Sequence, residues 1–297
     1  MPYSHSSGTA PPHTRAPAYA CDCHLHVYDP RFPDAEGAAA DDTPQHAAAG
    51  DYRRIQQRLG TERAVIVQPR VYGTDNRATL DAIAQLGADR TRGVAVVTPA
   101  VTDAELQALH AGGIRGVRLS LTTADPKAVS PTRPDMLEPL AARIAPLGWH
   151  VQLHVAGEQI VAYADVLRRL PCPVVFDHLA RLPHGAAGPC HAAFGIVRGL
   201  LLEGRAWLKL SGAYLNTDEG PPAHADTHAV AQAWLAAAPD RLVWGSDWPH
   251  PAAEAHPRFP HTPDDAQLFD LLAAWVPDAA QRDRILVDNP ARLYGFA

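Results

Sequence analysis

The chain has 297 residues, of which 46% are hydrophobic and 20% charged, and its formal net charge is −6. These values are typical of a globular protein and exclude an intrinsically disordered chain. The negative net charge provides no positive potential that would attract nucleic acid, and no apolar run is long enough to span a membrane. We therefore expect neither nucleic acid nor a membrane as a partner. The first residues carry no secretory pattern, which predicts a cytoplasmic protein. The oligomeric state is not predicted from the sequence.

The N-terminal segment differs in composition from the rest of the chain. Residues 1–18 are polar and proline-rich without any periodicity, which predicts a flexible arm that buries too little apolar surface to order itself. We therefore expect a single folded domain over residues 19–297. The chain's 4 cysteines are too few for a disulfide scaffold at this length, and we expect reduced thiols.

Short apolar runs recur along the domain and predict eight strands. They are ACDCHLHV (20–27), AVIVQ (64–68), GVAVV (93–97), GVRLS (116–120), HVQLH (150–154), VVFDH (174–178), AWLKLS (206–211) and LVWGSD (242–247). Helical patterns lie between several of them, at 76–87, 102–113, 136–148 and 159–170. In the second of these, Thr102 and Glu105 form a capping-box pattern.

Unalternating strands separated by helices are typical of a parallel sheet that is covered on both faces. Eight such repeats favour an α/β fold closed into a (β/α)₈ TIM barrel. An open doubly wound sheet is the alternative, but no G-x-G-x-x-G follows the first strand to support it. The segments 29–49 and 249–263 follow the first and last strands, and we expect them to border the mouth of the barrel.

The first strand carries a metal-chelating pattern. Asp22, His24 and His26 alternate, which predicts that they share one face while Cys21 and Cys23 lie on the other. A His-x-His pair at the C-terminal end of a barrel strand is in the place where barrel enzymes keep their chemistry. The pair alone is equally compatible with a structural role.

Other strand ends strengthen the hypothesis. His154 ends the fifth strand, His178 the sixth and Asp247 the eighth, so all should open on one mouth. His24, His26, His154 and Asp247 would offer nitrogen and oxygen ligands to Zn²⁺ or another divalent cation. Asp247 would serve as proton acceptor and donor, and His178 would stabilise an oxyanion or relay a proton.

Substrate contacts are predicted around this mouth. Arg118 and Ser120 share a face of the fourth strand, where the guanidinium could clamp a carboxylate or instead form a plain salt bridge. Further candidates follow the second strand: Gln68, Arg70, Tyr72 and Thr74. Lys209 and Ser211 share a face of the seventh strand, either as interior filling or as functional groups.

Motifs along the whole domain resemble the amidohydrolase superfamily, within amidohydrolase family 2. They are CDCHLHVYDP, VIVQPRVYGTDNR, RGVRLS, APLGWHVQLH, VVFDHLAR, WGSDWPHP and VDNPARLYG. Within that family, the pattern resembles the 2-pyrone-4,6-dicarboxylate lactonases. This resemblance implies a (β/α)₈ barrel, hydrolysis of a lactone in aromatic or sugar-acid catabolism, Asp247 as general acid/base, and His24, His26 and His178 in the site.

Two departures from that pattern shape the prediction. The dicarboxylate lactonases work without a metal and carry tyrosine where this chain has His154, whereas related zinc-dependent members carry a ligand set like this one. Arg118 matches an arginine that binds the dicarboxylate, but TTADPK after the fourth strand and SGAYLNT after the seventh lack the others. A zinc-dependent hydrolase of a less acidic lactone is therefore predicted.

Alternatives remain open from the sequence. A metal-dependent non-oxidative decarboxylase of the same superfamily would release carbon dioxide, and a metal-independent lactonase would rely on Asp247 without zinc. A catalytically silent barrel that binds a sugar acid is the third alternative. Product analysis distinguishes the first from a hydrolase, and metal analysis distinguishes the second.

Overall fold

The parallel sheet follows the order of the chain. The computed structural model describes residues 3–36, 38, 44, 46–121, 131–251 and 261–297. Within these ranges, eight parallel strands form one sheet in which each strand pairs with the next. The strands are β1 Cys21–Leu25, β2 Arg63–Val67, β3 Thr91–Ala95, β4 Ile114–Ser120, β5 His150–His154, β6 Val174–Phe176, β7 Ala206–Leu210 and β8 Leu242–Trp244.

The seam between β8 and β1 is closed just beyond the end of β8. The backbone N–H of Asp247 donates to the carbonyl of His24, and the N–H of His26 donates to the carbonyl of Trp248, each over 2.8 Å. Leu25 and Trp248 form an isolated parallel bridge at the same place. The nearly closed barrel confirms the predicted (β/α)₈ fold.

Helices cover the outside of the barrel. They are α1 Ala49–Leu59, α2 Arg77–Leu86, α3 Asp103–Ala111, α4 Leu137–Ile144, α5 Gly157–Ala162, α6 Ala164–Arg169, α7 Ala187–Cys190, α8 Ala192–Leu202, α9 His228–Ala237, α10 Asp265–Trp275, α11 Ala279–Asp283 and α12 Asn289–Tyr294. The predicted capping box is present in α3, because Glu105 N donates to Thr102 Oγ1 and Thr102 N to Glu105 Oε2. No described helix has both the length and the apolarity needed to cross a bilayer.

Two buried apolar layers hold the barrel together. The larger lies between the strands and the helices, and the smaller fills the interior of the barrel. The interior layer consists of Cys21, Cys23, Val65, Val67, Val94, Val175, Trp207 and Val243, with Tyr294 and Phe296 from the C-terminal end of the chain. This filling makes the lower barrel a packed core and leaves the chemistry to its upper end.

A bulge in β1 overturns the predicted alternation of its side chains. Asp22 pairs with Ala64 and Leu25 pairs with Ile66, so three steps along β1 match two along β2. The extra residue keeps His24 on the interior side, while Asp22 lies on the helix side with Leu25. The prediction that Asp22 shares the face of His24 and His26, opposite the cysteines, is therefore wrong.

Asp22 instead ties the barrel seam to α1. Its carboxylate accepts from Ser246 Oγ over 2.6 Å, from Ser246 N over 2.9 Å and from Tyr52 Oη over 3.1 Å. It also accepts from His24 N within the bulge, over 3.2 Å. Burial raises its pKa to about 6 although these donors act in the opposite direction. Asp22 thus has a structural role beside the site.

The N-terminal segment makes specific polar contacts, which differs from the expectation of an arm without ordering contacts. Arg58 of α1 donates to Ser6 Oγ, to the Ala10 carbonyl and to Asp264 Oδ1. Further along, the N–H groups of His13 and Thr14 donate to the Asp270 carboxylate. The segment is thus bound by hydrogen bonds, several of them from the buried guanidinium of Arg58. The expectation considered only the small apolar surface that the segment can bury. The domain boundary at 18/19 and the mobility of the arm stay predictions.

Some predicted features fall partly or wholly outside the described residues. All of TTADPK after β4 does, and so do parts of the segments 29–49 and 249–263. Their expected places at the barrel mouth stay predictions.

Candidate metal and catalytic site

Three ligand atoms converge where β1 meets the end of β8. His24 Nε2 and His26 Nε2 lie 3.3 Å apart, and Asp247 Oδ1 lies 3.4 Å from the first and 3.5 Å from the second. All three residues are buried. The bulge and the seam hydrogen bonds bring them together, because one aims His24 inward and the others fix Asp247 beside it.

The hydrogen bonds behind the two imidazoles define their free nitrogen atoms. His26 Nδ1 lies 2.8 Å from the carbonyl of Val67, which can only accept, so Nδ1 carries the proton and Nε2 keeps its lone pair. His24 Nδ1 lies 3.3 Å from Asp177 Oδ1, which favours the same tautomer, and 3.2 Å from the Lys209 ammonium, which favours the opposite one. Burial, then the charge of Lys209, holds the pKa of His24 well below its usual value.

The resulting arrangement fits a cation. When both histidines carry their proton on Nδ1, two imidazole lone pairs and one carboxylate oxygen face each other within 3.5 Å. Such a cluster is costly to bury without a positive partner. Two histidines and one carboxylate are also a donor set that catalytic zinc sites use.

A charged network lies beneath the pair of imidazoles. Asp177 Oδ1 is 3.5 Å from Lys209 Nζ, and Asp177 Oδ2 is 3.4 Å from an Arg118 nitrogen and 3.2 Å from Gln152 Nε2. Burial raises the pKa of Asp177, but His24, Lys209 and Arg118 outweigh it and hold the pKa well below the usual range. Asp177 is therefore an anion that both orients His24 and neutralises buried cations.

The two oxygens of Asp247 have different surroundings. While Oδ1 faces His24 and His26, Oδ2 accepts from Tyr214 Oη over 2.6 Å and lies 3.8 Å from His178 Nε2. Burial raises the pKa of Asp247, but the imidazoles of His178, His26 and His24 lower it by a larger amount. The pKa of Asp247 therefore stays well below its usual range. Asp247 is therefore an ionised carboxylate whose two oxygens face different groups.

A left-handed turn carries His178 into the site. His178, Leu179, Ala180 and Arg181 all have φ between 50° and 59°, although none is glycine. Asn216 Nδ2 donates to the His178 carbonyl and Trp234 Nε1 to the Leu179 carbonyl, which supports the turn. Such strain is found where the surroundings over-determine a functional segment.

Gly212 allows His178 to pack closely on β7. A Cβ built on Gly212, whose φ is 63°, would approach His178 Nδ1 to 2.7 Å. That same Nδ1 lies 3.0 Å from Ser211 Oγ. Burial lowers the pKa of His178 to about 4, which leaves it neutral at pH 7.

His154 stands apart from the three converging ligands. Its Nδ1 lies 3.1 Å from Arg118 Nη2, and a guanidinium can only donate, so Nδ1 is the acceptor and Nε2 carries the proton. Neither group of three close ligand atoms in the described part of the chain includes His154; the second group is His24, Asp177 and His178. The predicted place of His154 in the ligand set therefore stays a prediction.

Two of the predicted substrate contacts, Gln68 and Tyr72, have hydrogen-bond partners within the protein, and their contacts with a substrate stay predictions. Gln68 donates to the carbonyls of Gly73 and Asp75 and accepts from Thr79 Oγ1. Tyr72 Oη accepts from the N–H of Asp29 and donates to its carbonyl, so it fastens the loop after β1.

The remaining predicted contacts have different surroundings. Arg118 is buried over the network of Asp177, and its Nε has no hydrogen-bond partner among the described residues. Ser120 is buried at the end of β4, beside His154 in register. Arg70 is half-buried and Thr74 exposed, and their contacts with a substrate stay predictions.

Sequence reasoning missed three residues of the site. Asp177 follows β6 directly before His178, and Tyr214 and Arg181 lie in loops after β7 and β6. Arg181 lines a cleft of about 310 Å³ with residues of the loop after β7, including Asn216 and Asp218. The dipeptide Asp177–His178 at a strand end was the available signal for Asp177. Tyr214 offered none, because its role depends on a turn after β7.

The geometry defines a class of protein. A parallel barrel that gathers a pair of imidazoles, an ionised carboxylate and a neutral histidine at the carboxyl ends of its strands suits metal-assisted hydrolysis or related acid–base chemistry.

Comparisons with known proteins agree with this class. Residues 21–296 match the model of the amidohydrolase family, so the chain belongs to that family. It is 37% identical to a 4-sulfomuconolactone hydrolase of Rhizobium radiobacter, over 97% of this chain and 93% of that protein. It is 36% identical to a 2-pyrone-4,6-dicarboxylate hydrolase of Comamonas testosteroni, over 95% and 92%.

A solved structure extends the likeness to the fold. A crystal structure of an Agrobacterium tumefaciens protein superposes with a TM-score of 0.83 at 28% identity, covering 96% of this chain and 99% of that one. The family predicted from the sequence is confirmed, and the similar proteins agree with the predicted class of lactone hydrolases.

Proposed function

We propose that the chain opens the lactone of a small carboxylic acid by metal-assisted and Asp247-assisted attack of water. The observation that carries this proposal is the convergence of His24 Nε2, His26 Nε2 and Asp247 Oδ1 within 3.5 Å, with the second oxygen of Asp247 left for a proton. Relatives that act on a sulfomuconolactone and a pyrone dicarboxylate support a cyclic ester as substrate.

The proposed metal is zinc, held by His24, His26 and Asp247. Borderline imidazole nitrogens and one carboxylate suit Zn²⁺, and three protein ligands leave a position open for chemistry. A cation there would polarise the ester carbonyl and acidify water. In this arrangement, His154 keeps its proton on Nε2 and donates it in a hydrogen bond to the substrate. The alternative prediction, that His154 is a fourth metal ligand, is tested below.

The chain's own residues move the proton. Asp247 Oδ2 accepts a proton from the attacking water as its oxygen bonds to the carbonyl carbon. As the ring C–O bond breaks, Asp247 returns that proton to the leaving alkoxide oxygen, so the product is a hydroxy acid. Tyr214 holds Oδ2 in place throughout, and the neutral His178 can donate to the developing oxyanion from the same side.

Two arginines give the site a preference for an anionic substrate. Arg118 is buried at the end of β4 with a free Nε, and Arg181 borders the cleft after β6. A carboxylate on the lactone would meet at least one guanidinium, which is suited to bidentate binding. The preferred lactone therefore carries a carboxylate away from its ester.

Metal analysis is the first test. Protein purified without chelators should contain about one metal ion per chain, as three ligands around one cation predict. His26→Ala should lose the metal, and exposed His228→Ala should keep it. In His154→Ala, retained metal supports the three-ligand set, and lost metal supports the four-ligand prediction. Metal-free wild-type protein that opens lactones despite a chelator would instead support the metal-independent alternative.

Product analysis is the second test. A panel of carboxylated lactones should release one acid equivalent per turnover without carbon dioxide, and carbon dioxide release would support a decarboxylase instead. Asp247→Asn should lower kcat by about 100-fold or more, because general acid–base catalysis contributes on that scale. Asp89→Asn, an exposed change, is the matched control. Near-full activity of Asp247→Asn would refute the mechanism.

A further inference from the structure

The N-terminal segment reaches Trp248, the residue that follows the proposed general base. The indole N–H of Trp248 donates to the Ser4 carbonyl over 2.9 Å, and the His5 ring meets the indole edge-on at 6.2 Å. Trp248 is fully buried and directly follows Asp247. The first contact therefore lies one residue from the proposed base.

A second connection runs through α10. Ser6 Oγ accepts from Asp265 N over 3.1 Å, and Asp265 Oδ1 lies 3.2 Å from His250 Nε2, a close contact without hydrogen-bond geometry. The N–H of His250 in turn donates to the carbonyl of Asp247 over 2.7 Å. The ring of His250 also meets the Tyr214 ring edge-on at 5.4 Å, behind the hydroxyl that holds Asp247.

The segment is itself anchored firmly. Arg58 donates to Ser6 Oγ over 2.9 Å, to the Ala10 carbonyl over 2.8 Å and to Asp264 Oδ1 over 2.6 Å, and its guanidinium lies 5.0 Å from the Tyr3 ring. The N–H of Ser7 donates to the Pro263 carbonyl over 2.9 Å. These contacts join residues 3–8 to α1 and to the start of α10.

Asp247 needs such support because its backbone is strained. Its φ is 64°, in the left-handed region, and His250 is left-handed as well at 61°. Conformations of this kind persist where surrounding contacts over-determine them. Misplacing a catalytic group by about 1 Å can cost on the order of 100-fold in rate.

We propose that residues 3–8 are a positioning element for Asp247, which they hold through Trp248 on one side and through Asp265 and His250 on the other. The part of this inference that concerns rate rests on the proposed lactone hydrolysis, whereas the part that concerns the order of the loop does not. Ser6 and the Ser4 carbonyl act through other residues and touch no reacting atom.

Two variants test this positioning. Deletion of residues 2–8 removes both connections, and Ser6→Ala removes only the hydroxyl that Arg58 and Asp265 share. Ser7→Ala is the matched control, because Ser7 is exposed and its backbone contact with Pro263 survives. If the deletion variant fails to fold, Ser6→Ala alone tests the positioning role.

Hydrogen exchange gives a readout that needs no substrate. Amides in residues 245–251 should exchange faster in Ser6→Ala and in the deletion variant, while residues 150–154 of β5 stay unchanged. In wild-type protein that opens lactones, the deletion should lower kcat about 10-fold with KM nearly unchanged, because Asp247 is misplaced while substrate binding is retained. A merely structural role would lower the melting temperature and leave the exchange of 245–251 and kcat unaltered, which would overturn the proposal. Absence of lactone turnover in wild-type protein would refute the proposed function alone, since the exchange result still decides the positioning role.

Discussion

Tyr214 donates a hydrogen bond to Asp247 Oδ2 over 2.6 Å, while Oδ1 of the same carboxylate faces the imidazoles of His24 and His26. The two oxygens of one carboxylate thus have different neighbours. Because Tyr214 is buried and its pKa is raised by burial and then by Asp247, it remains a hydrogen-bond donor throughout the pH range of an assay.

Tyr214→Phe should leave Asp247 in the site without its fixed rotamer. A hydrogen bond to a charged group is worth about 1.5–3 kcal/mol, so we expect kcat to fall about 10- to 100-fold. Steady-state kinetics should show KM changed by less than about threefold, because uniform binding is not affected. Tyr163→Phe, a half-buried tyrosine of the outer helices, should behave as wild type. Equal kcat values for the two variants would contradict the role of Tyr214.

Asp177→Asn should weaken metal binding. The carboxylate orients His24 through Nδ1, and loss of such a partner typically costs about 10- to 100-fold in metal affinity. Competition with a chelator measures this directly. The exposed Asp165→Asn is the control, and unchanged affinity in Asp177→Asn would show that His24 keeps its orientation by other means.

The same change should also cost stability. An uncharged amide at this position would leave Lys209 and Arg118 buried without their anion, a loss of about 3–5 kcal/mol when one partner of a buried pair is removed. Urea unfolding of the metal-free protein separates this effect from metal affinity.

Ala180→Gly should stabilise the fold or leave it unchanged. A left-handed φ costs an alanine about 1–2 kcal/mol relative to a right-handed one, and glycine avoids that cost while adding about 0.5–1 kcal/mol of unfolded-state entropy. Ala104→Gly, at an exposed right-handed position of α3, should instead lower the free energy of unfolding by about 1 kcal/mol. Denaturant unfolding that shows an equal loss in both variants would refute the strain in the turn.

Acid should destabilise the protein through buried neutral histidines. Burial lowers the pKa of His150 to about 3 from an ordinary value of 6.5. Its stabilising contribution is therefore complete above about pH 6.5 and is lost as the pH falls toward 3, reaching a loss of about 2 kcal/mol at pH 5. His150→Gln should therefore lose about 2 kcal/mol less unfolding free energy than wild type between pH 7 and pH 5, so that the slope of unfolding free energy against pH is flatter. An unchanged slope would mean that His150 is protonated in the folded state.

The barrel and most of its elements could be predicted from the sequence, because buried parallel strands and capped helices have local patterns. The eight predicted runs all overlap the observed strands, from Cys21–Leu25 to Leu242–Trp244. The histidines and Asp247 were predictable for the same reason, since they stand at strand ends. Whether His154 belongs to the proposed ligand set could not be predicted, because its tautomer depends on Arg118, a partner 36 residues away.

Other features needed three-dimensional information. The alternation predicted for β1 failed because a bulge has no strong local pattern. Residues 1–18 were expected to lack ordering contacts on composition alone, yet Arg58 is a partner 52 residues from Ser6. Asp177 and Tyr214 also act through contacts distant in sequence, with His24 and Asp247.

The irregularity in β1 limits how far the His-x-His motif can be transplanted. With Asp22 turned toward α1, strict alternation would send both His24 and His26 to the outer surface of the barrel. The carboxylate of Asp22 accepts hydrogen bonds from His24 N and Ser246 N. Asp22 therefore has to be copied together with the two histidines, even though it contacts none of the proposed ligand atoms. A designer who copied only the two histidines into a regular strand would place them on the outer surface, away from the proposed metal site.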